Sequence, residues 1–302
     1  MLVSSLSEEV YQLEDKRPII LRDLSIAVVV GYQHPPGEYV AYVKYVYTGK
    51  GLWNGYERVV KKYSPKDVMS GRIIFDPNFG SEVPVVSVSE ILEAPDPIKR
   101  MEEVVASPKD RHEFKALEVK EETSLDLGII GSLLLRIHHE GSDVDLAVYD
   151  NYFEAWELLK ELGDEDDQWI LNVSERLGLS VEVVKEHYYS KAIRSIWEDM
   201  PISFSYVKRG YNERYGTFPK PLGEIFEGEV KLDDVDERTF IYPHLRKGNI
   251  NILSFEGAYL RPLIECDTVW VRAPLFENEM GTFVVLGTKE YHGVMKPRSP
   301  CR

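Results

Sequence analysis

Cysteine is nearly absent: Cys266 and Cys301 are the only two in 302 residues. Without CxxC spacing they form neither a disulfide framework nor a tetrahedral zinc site, so Cys266 reads as a lone small apolar core residue. No apolar run approaches the roughly 20 residues that span a bilayer, so no membrane is expected as a partner. The opening stretch MLVSSLSEEVYQLEDKRP carries acids where a secretory signal needs bases, and the expected location is the cytoplasm. Positive charge is also scarce. Against 51 Asp and Glu stand 36 Lys and Arg, a formal net charge of −15, and a surface of that sign repels a polyanion. Glutamine occurs only as Gln12, Gln33 and Gln168 while Glu, Lys and Arg abound, a bias shared with thermophilic proteins.

What is present is ordinary globular composition, 43% hydrophobic and 29% charged, in a chain long enough for two or three domains. Residues 40–72 reverse the overall charge: Lys44, Lys50, Arg58, Lys61, Lys62, Lys66 and Arg72 face only Glu57 and Asp67. Such a patch is a solvated face or a ligand groove. Three regions separate by pattern. Residues 1–105 are β-rich, with strands in SIAVVVGYQ, EYVAYVKYVYT, RIIFDP and VPVVSVS. Pro95 and Pro97 mark a break, and a helix is expected over 108–123 with Ser107 as its cap. Residues 106–218 mix both types: strand 127–131, helix 132–140, strand 142–149, helices 151–162, 167–177 and 180–199, then a strand in ISFSYVK. Residues 219–302 return to short strands (EIFEGEVKLDD, RTFIYPH, NINILSF, DTVWVRAPLF, GTFVVLGTKEYH), the pattern of a small barrel or sandwich.

The chemistry concentrates in the middle region. On a strand, residues i and i+2 share a face, so Asp143 and Asp145 project together while Val144 and Leu146 point into a core. Adjacent carboxylates repel, and a divalent cation relieves the repulsion; oxygen ligands suit Mg²⁺ or Mn²⁺. Upstream, Gly131 and Ser132 join the apolar strand LGIIG to the expected helix. Free amides and the positive end of a helix dipole would seat a phosphate there, with the Ser132 hydroxyl as a further donor.

Ile130-Gly131-Ser132, ten residues, then Asp143-Val144-Asp145-Leu146 resembles the pattern of the DNA polymerase β-like nucleotidyltransferase superfamily. More specifically, the chain is similar to a family of archaeal predicted nucleotidyltransferases of unknown substrate. That family shares the HPPG turn and YVAYVKYV-like strand (34–46), the FDP-x-FG segment (75–80), the stretch YVKRGYNERYG (206–216) and a β-rich tail. The resemblance implies an α+β fold: a nucleotidyltransferase-like mixed sheet with helices, flanked by N-terminal β-rich and C-terminal small β-barrel-like regions. It implies a transferase that moves an NMP from an NTP to a hydroxyl of an unknown acceptor such as RNA or a protein. Asp143 and Asp145 would hold Mg²⁺ (or Mn²⁺) as catalytic metal ligands, with Gly131 and Ser132 on the phosphates. Lys208 and Arg209, with Arg214, form the nearest basic cluster and either bind nucleotide or are solvated.

One departure stands out. The superfamily supplies a third carboxylate from a later strand, and ISFSY offers serines. Glu182, Glu198 or Asp199 fills in, a substrate group takes over, or the protein is a catalytically degenerate nucleotide- or RNA-binding regulator. Other polar residues have plainer readings. His138 and His139 fit a helix C-terminus better than a metal site. Arg136 is an exposed helix arginine before it is a phosphate ligand, His34 belongs to a turn, and Phe153 and Trp156 are spaced for a core.

Overall fold

Valine and tyrosine alternate along Glu38–Gly51, and in the computed structural model this stretch is one strand, buried in its first half and solvated in its second. The described residues are 13–61, 67–298 and 301, so Lys62 and Lys66 of the basic patch and the opening stretch to Gln12 lie outside them. Within the patch, Arg72 pairs with Glu38, and Arg58 donates to the Val60 carbonyl. The backbone groups as two compact units. The first takes in the chain up to Asp150 and then Ile202–Thr217; the second comprises 151–201 and 218–302. The sequence pattern instead divides at 105 and 218.

In the first unit, β1 (Pro18–Leu21), β2 (Ile26–Val29), β3 (Glu38–Gly51), β4 (Gly55–Arg58), β5 (Arg72–Asp76), β6 (Ser81–Ser87) and β7 (Ile91–Glu93) form a seven-stranded antiparallel sheet. Its order is β5-β6-β3-β2-β1-β7, with β4 paired to β3. Ile19, Ala27, Val29, Tyr39, Ala41 and Val86 fill one of its faces. The Pro95–Pro97 segment does not simply break the chain. Asp96 caps α1 (Pro97–Ala106) by accepting the Ile98 and Lys99 amides, and Pro97 occupies the first turn, where its missing N–H costs nothing. Ser107 closes that helix. The next helix, α2 (Arg111–Thr123), starts later than 108 because Asp110 caps it through the His112 and Glu113 amides.

A second, smaller sheet follows. β8 (Leu127–Ile130) leads into α3 (Gly131–Leu134), and β9 (Val144–Val148) returns antiparallel to β8. The expected helix 132–140 is therefore a single turn, ended where Arg136 adopts φ +57°. α1 lies against β8 at Gly128, where a Cβ would stand 2.9 Å from Pro97 Cβ and 2.7 Å from the Tyr149 ring. After β9 the chain passes into the second unit through α4 (Tyr152–Glu161), α5 (Asp167–Leu177), α6 (Val181–His187) and β10 (Arg194–Trp197). It comes back with β11 (Met200–Tyr206), which adds parallel to β9.

The second unit carries a six-stranded mixed sheet of β12 (Lys220–Lys231), β13 (His244–Arg246), β14 (Asn251–Ser254), β15 (Thr268–Asn278), β16 (Gly281–Leu286) and β17 (Val294–Pro297). Its order is β12-β15-β16-β14-β13, with β17 on β15, and only β14–β16 is parallel. The sequence RTFIYPH is not a strand throughout: Asp236 caps a short helix, α7 (Glu237–Phe240), before β13 begins. The helix expected over 180–199 keeps its Ser180 cap but stops at His187. A further helix, α8 (Leu260–Glu265), follows β14. Trp156 is buried and donates to Glu265 at 3.0 Å, whereas Phe153 is exposed and meets Phe240 edge-on. Cys266 is fully buried among Val184, Tyr188, Leu263 and Val271, as an apolar core residue should be. It is not alone, however: it forms a disulfide with Cys301, the Cα atoms 4.7 Å apart. This architecture is mixed α+β with several sheets.

Candidate functional site

The β8–β9 ladder sets Ile130 opposite Asp145, so the bend that follows β8 is delivered beside that carboxylate. Gly131 has φ +65°, and a Cβ built on it would stand 2.2 Å from Asp145 Oδ2. Only glycine allows this approach, for both reasons. Asp145 on β9 and Asp143 just before it are half-buried, while Val144 and Leu146 are fully buried. Ser132 is itself buried, and its carbonyl accepts the Ile137 amide at 3.1 Å. With only four residues in α3, few peptide dipoles align, so the helix-dipole argument for a phosphate seat does not carry over. What remains is a glycine bend packed directly against an acid.

The start of α2 holds both loops of this site. Arg100, buried on α1, donates to the Leu133 carbonyl at 3.4 Å and pairs with Glu113, anchoring the turn after Gly131. Glu103 extends the network to Arg136 at 2.5 Å, so Arg136 is an ion-pair partner on this surface. On the other side, His112 Nε2 donates to the Ser142 carbonyl at 2.9 Å, fixing the residue just before Asp143. His138 Nε2 meets Asp110 Oδ2 at 3.0 Å, and His139 accepts the Gly141 amide through Nδ1 while packing edge-on against Trp53. Since α3 ends at Leu134, neither histidine owes its place to a helix terminus. Asp110, His112 and His138 bring one potential ligand atom each within 4.8 Å of the others, the one such group among the described residues.

Burial lowers the His112 pKa and so favours its neutral form, with the neighbouring His138 contributing in the same direction. For Asp110, burial acts upward, but the Glu113 amide, His138 and the His112 amide outweigh it and hold the carboxyl below its ordinary value.

The β9–β11 register puts Ser203 beside Asp145 and Ser205 beside Ala147. No carboxylate occupies the paired position. Glu182 belongs to α6, where it lines a cleft of about 610 Å³ in the second unit with Lys160, Glu165, Lys185, Tyr189 and Glu265. Glu198 and Asp199 precede β11 within that same unit. Lys208 and Arg209 are not gathered beside Asp145. Val207 donates to the Val148 carbonyl, so both follow the far end of β9. There Arg209 pairs with Asp96 at 3.0 Å, and Lys208 lies over the Tyr211 ring.

A second polar cluster joins three sequence motifs that lie far apart in the chain. Buried Asp76, from FDPNFG, accepts the Asn78 amide at 2.7 Å and the Tyr215 hydroxyl at 3.1 Å. Asn78 donates to Gln33, which donates to Glu213 at 3.1 Å. Next to Gln33, His34 Nδ1 accepts the Val40 amide, and burial holds the His34 pKa down to about 4. The tyrosine-rich stretch is thereby bound to the HPPG and FDPNFG turns. The signal available in sequence was the polar pairing Asp–Tyr and Gln–Glu across distant turns, which no local period reveals.

Among the described residues no helix is long and apolar enough to cross a membrane. Comparison with protein-family models, curated proteins and solved structures gives no match to any of the three.

Proposed function

We propose that this chain is a metal-dependent nucleotidyltransferase whose active site is the Gly131 bend and the Asp143–Asp145 edge of β9. The observation that carries this reading is the packing of the Asp145 carboxylate directly on Gly131, where a Cβ would stand 2.2 Å from Oδ2. That packing sets the glycine bend side by side with the acidic strand edge, so a cation held by the carboxylates would lie next to the bend's backbone. The donor set fits the ion. Two carboxylates from positions i and i+2 supply hard oxygen ligands, which Mg²⁺ (or Mn²⁺) combines with phosphate oxygens.

Asp143 and Asp145 would hold that ion, which supplies charge neutralisation for the triphosphate. Gly131 and the amide after it would receive phosphate oxygens. In the reaction, the oxygen of an acceptor hydroxyl bonds to the α-phosphorus, the bond to the β-phosphate bridging oxygen breaks, and pyrophosphate leaves. The hydroxyl's proton goes to solvent or to the acceptor's own groups, because Ser203 is a neutral and poor base. Acceptor choice falls to the flanking β regions, with RNA, a protein or a small molecule as the acceptor class.

Ser203 at the acid's paired position favours a second reading, a regulator that binds nucleotide or RNA without turnover. One experiment separates the two. Purified protein is given each α-³²P-labelled NTP with Mg²⁺, alone and with cell lysate, alongside Asp143→Asn. Transfer of label that Asp143→Asn abolishes supports the enzyme. Mg²⁺-dependent NTP binding without transfer supports the regulator, and NTP binding untouched by Asp143→Asn moves the pocket elsewhere and removes both.

A further inference from the structure

We infer that Asp110, His112 and His138 form a binding site for a divalent transition-metal ion of the zinc type, separate from the Asp143–Asp145 edge. The inference does not depend on the nucleotidyltransferase reading, because it uses neither carboxylate of that edge.

The three side chains come from two loops that the fold brings together: the cap and first turn of α2, and the segment after α3. Asp110 Oδ1 is committed to the His112 and Glu113 amides at 2.9 and 3.1 Å, which fixes the carboxylate and turns Oδ2 toward His138. On the other imidazole, Nε2 faces the Ser142 carbonyl, an atom that only accepts, so Nε2 must carry the proton. The lone pair of neutral His112 is then on Nδ1, the atom 3.9 Å from Asp110 Oδ1. A ring nitrogen oriented by its partner's hydrogen bond to a carbonyl is the arrangement metal-binding imidazoles use to fix their tautomer.

Spacing agrees with coordination. Ligand atoms about 2.0–2.1 Å from a tetrahedral ion lie roughly 3.3–3.4 Å apart. Asp110 Oδ2 stands 3.0 Å from His138 Nε2, near that value, and the three ligand atoms all lie within 4.8 Å of one another. The Asp110 side chain is 41% exposed, which leaves an entry path.

Two imidazoles with one carboxylate select a borderline transition ion over Mg²⁺ or Ca²⁺, whose sites are built from oxygen. The consequence for the fold is local. His112 grips the Ser142 carbonyl, so an ion here fastens the turn that leads into Asp143.

The full chain, stripped with a chelator and dialysed, is titrated with Zn²⁺ by calorimetry and with Co²⁺ by visible absorption. The expected result is one equivalent of Zn²⁺, a Co²⁺ spectrum of low coordination number displaced by Zn²⁺, and a raised melting temperature. His138→Ala and Asp110→Asn should each weaken Zn²⁺ at least about tenfold. Asp110→Asn keeps a capping oxygen for α2, so its fold is preserved if His138→Ala proves unstable. Asp143→Asn should leave Zn²⁺ binding unchanged. No Zn²⁺ uptake by the wild-type chain, or equal uptake by both ligand variants, overturns the site. Loss of Zn²⁺ in Asp143→Asn overturns its separateness.

Discussion

Ser203 lies directly across from Asp145 in the parallel β9–β11 ladder, so their side chains share one face. A carboxylate at 203 would complete a three-acid set around an ion. Ser203→Asp should therefore tighten Mg²⁺ in the presence of NTP by about tenfold, roughly 1.4 kcal/mol. Without metal, the added like charge should lower the melting temperature. Calorimetric titration and thermal melts with and without Mg²⁺ check both halves. Unchanged Mg²⁺ affinity would count against an ion between these strands.

Gly131→Ala places a methyl against Asp145 Oδ2 in a left-handed backbone. The expected cost is about 1–3 kcal/mol of stability, together with loss of Mg²⁺-dependent NTP binding. Denaturant unfolding gives the first quantity and equilibrium binding the second. Wild-type values for both would show that the bend is merely structural.

The Cys266–Cys301 disulfide closes a loop with a sequence separation of 35 residues. Cys301→Ser, or reduction with dithiothreitol, should cost the second unit about 2–4 kcal/mol. Mass spectrometry of alkylated protein before and after reduction reports whether the bond is present. Equal melting temperatures in oxidised and reduced samples would contradict the contribution.

His34 titrates near 4 in the folded chain against 6.5 when exposed, because burial penalises its charged form. Between those values the unfolded chain binds the proton and the folded chain does not, so stability rises with pH. The contribution is complete above pH 6.5 and is lost as pH falls toward 4, on the order of 3 kcal/mol in all. Urea unfolding across that range should show a slope that His34→Gln reduces. Identical slopes would mean that other groups set it.

Asp76 is buried with the Asn78 amide and the Tyr215 hydroxyl as its partners. Asp76→Ala strands those donors and should cost about 1–3 kcal/mol. Hydrogen exchange at the Glu213 amide, which donates to the Tyr32 carbonyl, should accelerate as the segment loosens. Unaltered exchange there would detach the cluster from that role.

The sequence made local features legible and non-local ones opaque. The alternation in EYVAYVKYVYT is β3, and SDVDLAVY does hold a strand, β9, because strand patterns are written in adjacent residues. The closeness of Gly131 to Asp145 also followed from short elements in order. The single turn after Gly131 did not, since Arg136 in a left-handed conformation gives no compositional warning. Pro97 hid α1 by looking like a breaker when it was a first-turn residue. The apolar run Phe-Ile-Tyr concealed α7. His112 and Asp110 met His138 only through the packing of α2, and Cys301 met Cys266 only through the second unit's core. The partition into units was likewise unreadable, because β11 rejoins β9 across an excursion of fifty-odd positions.

That excursion governs how the protein is made. As the nascent chain leaves the ribosome, β9 emerges with one edge bare and remains so until β11 has been synthesised. During that interval Val144–Val148 offers unpaired amides and carbonyls to any extended peptide nearby. A polypeptide stopped at Asp150 keeps this bare edge permanently, so truncation there should yield aggregates, not a free-standing half.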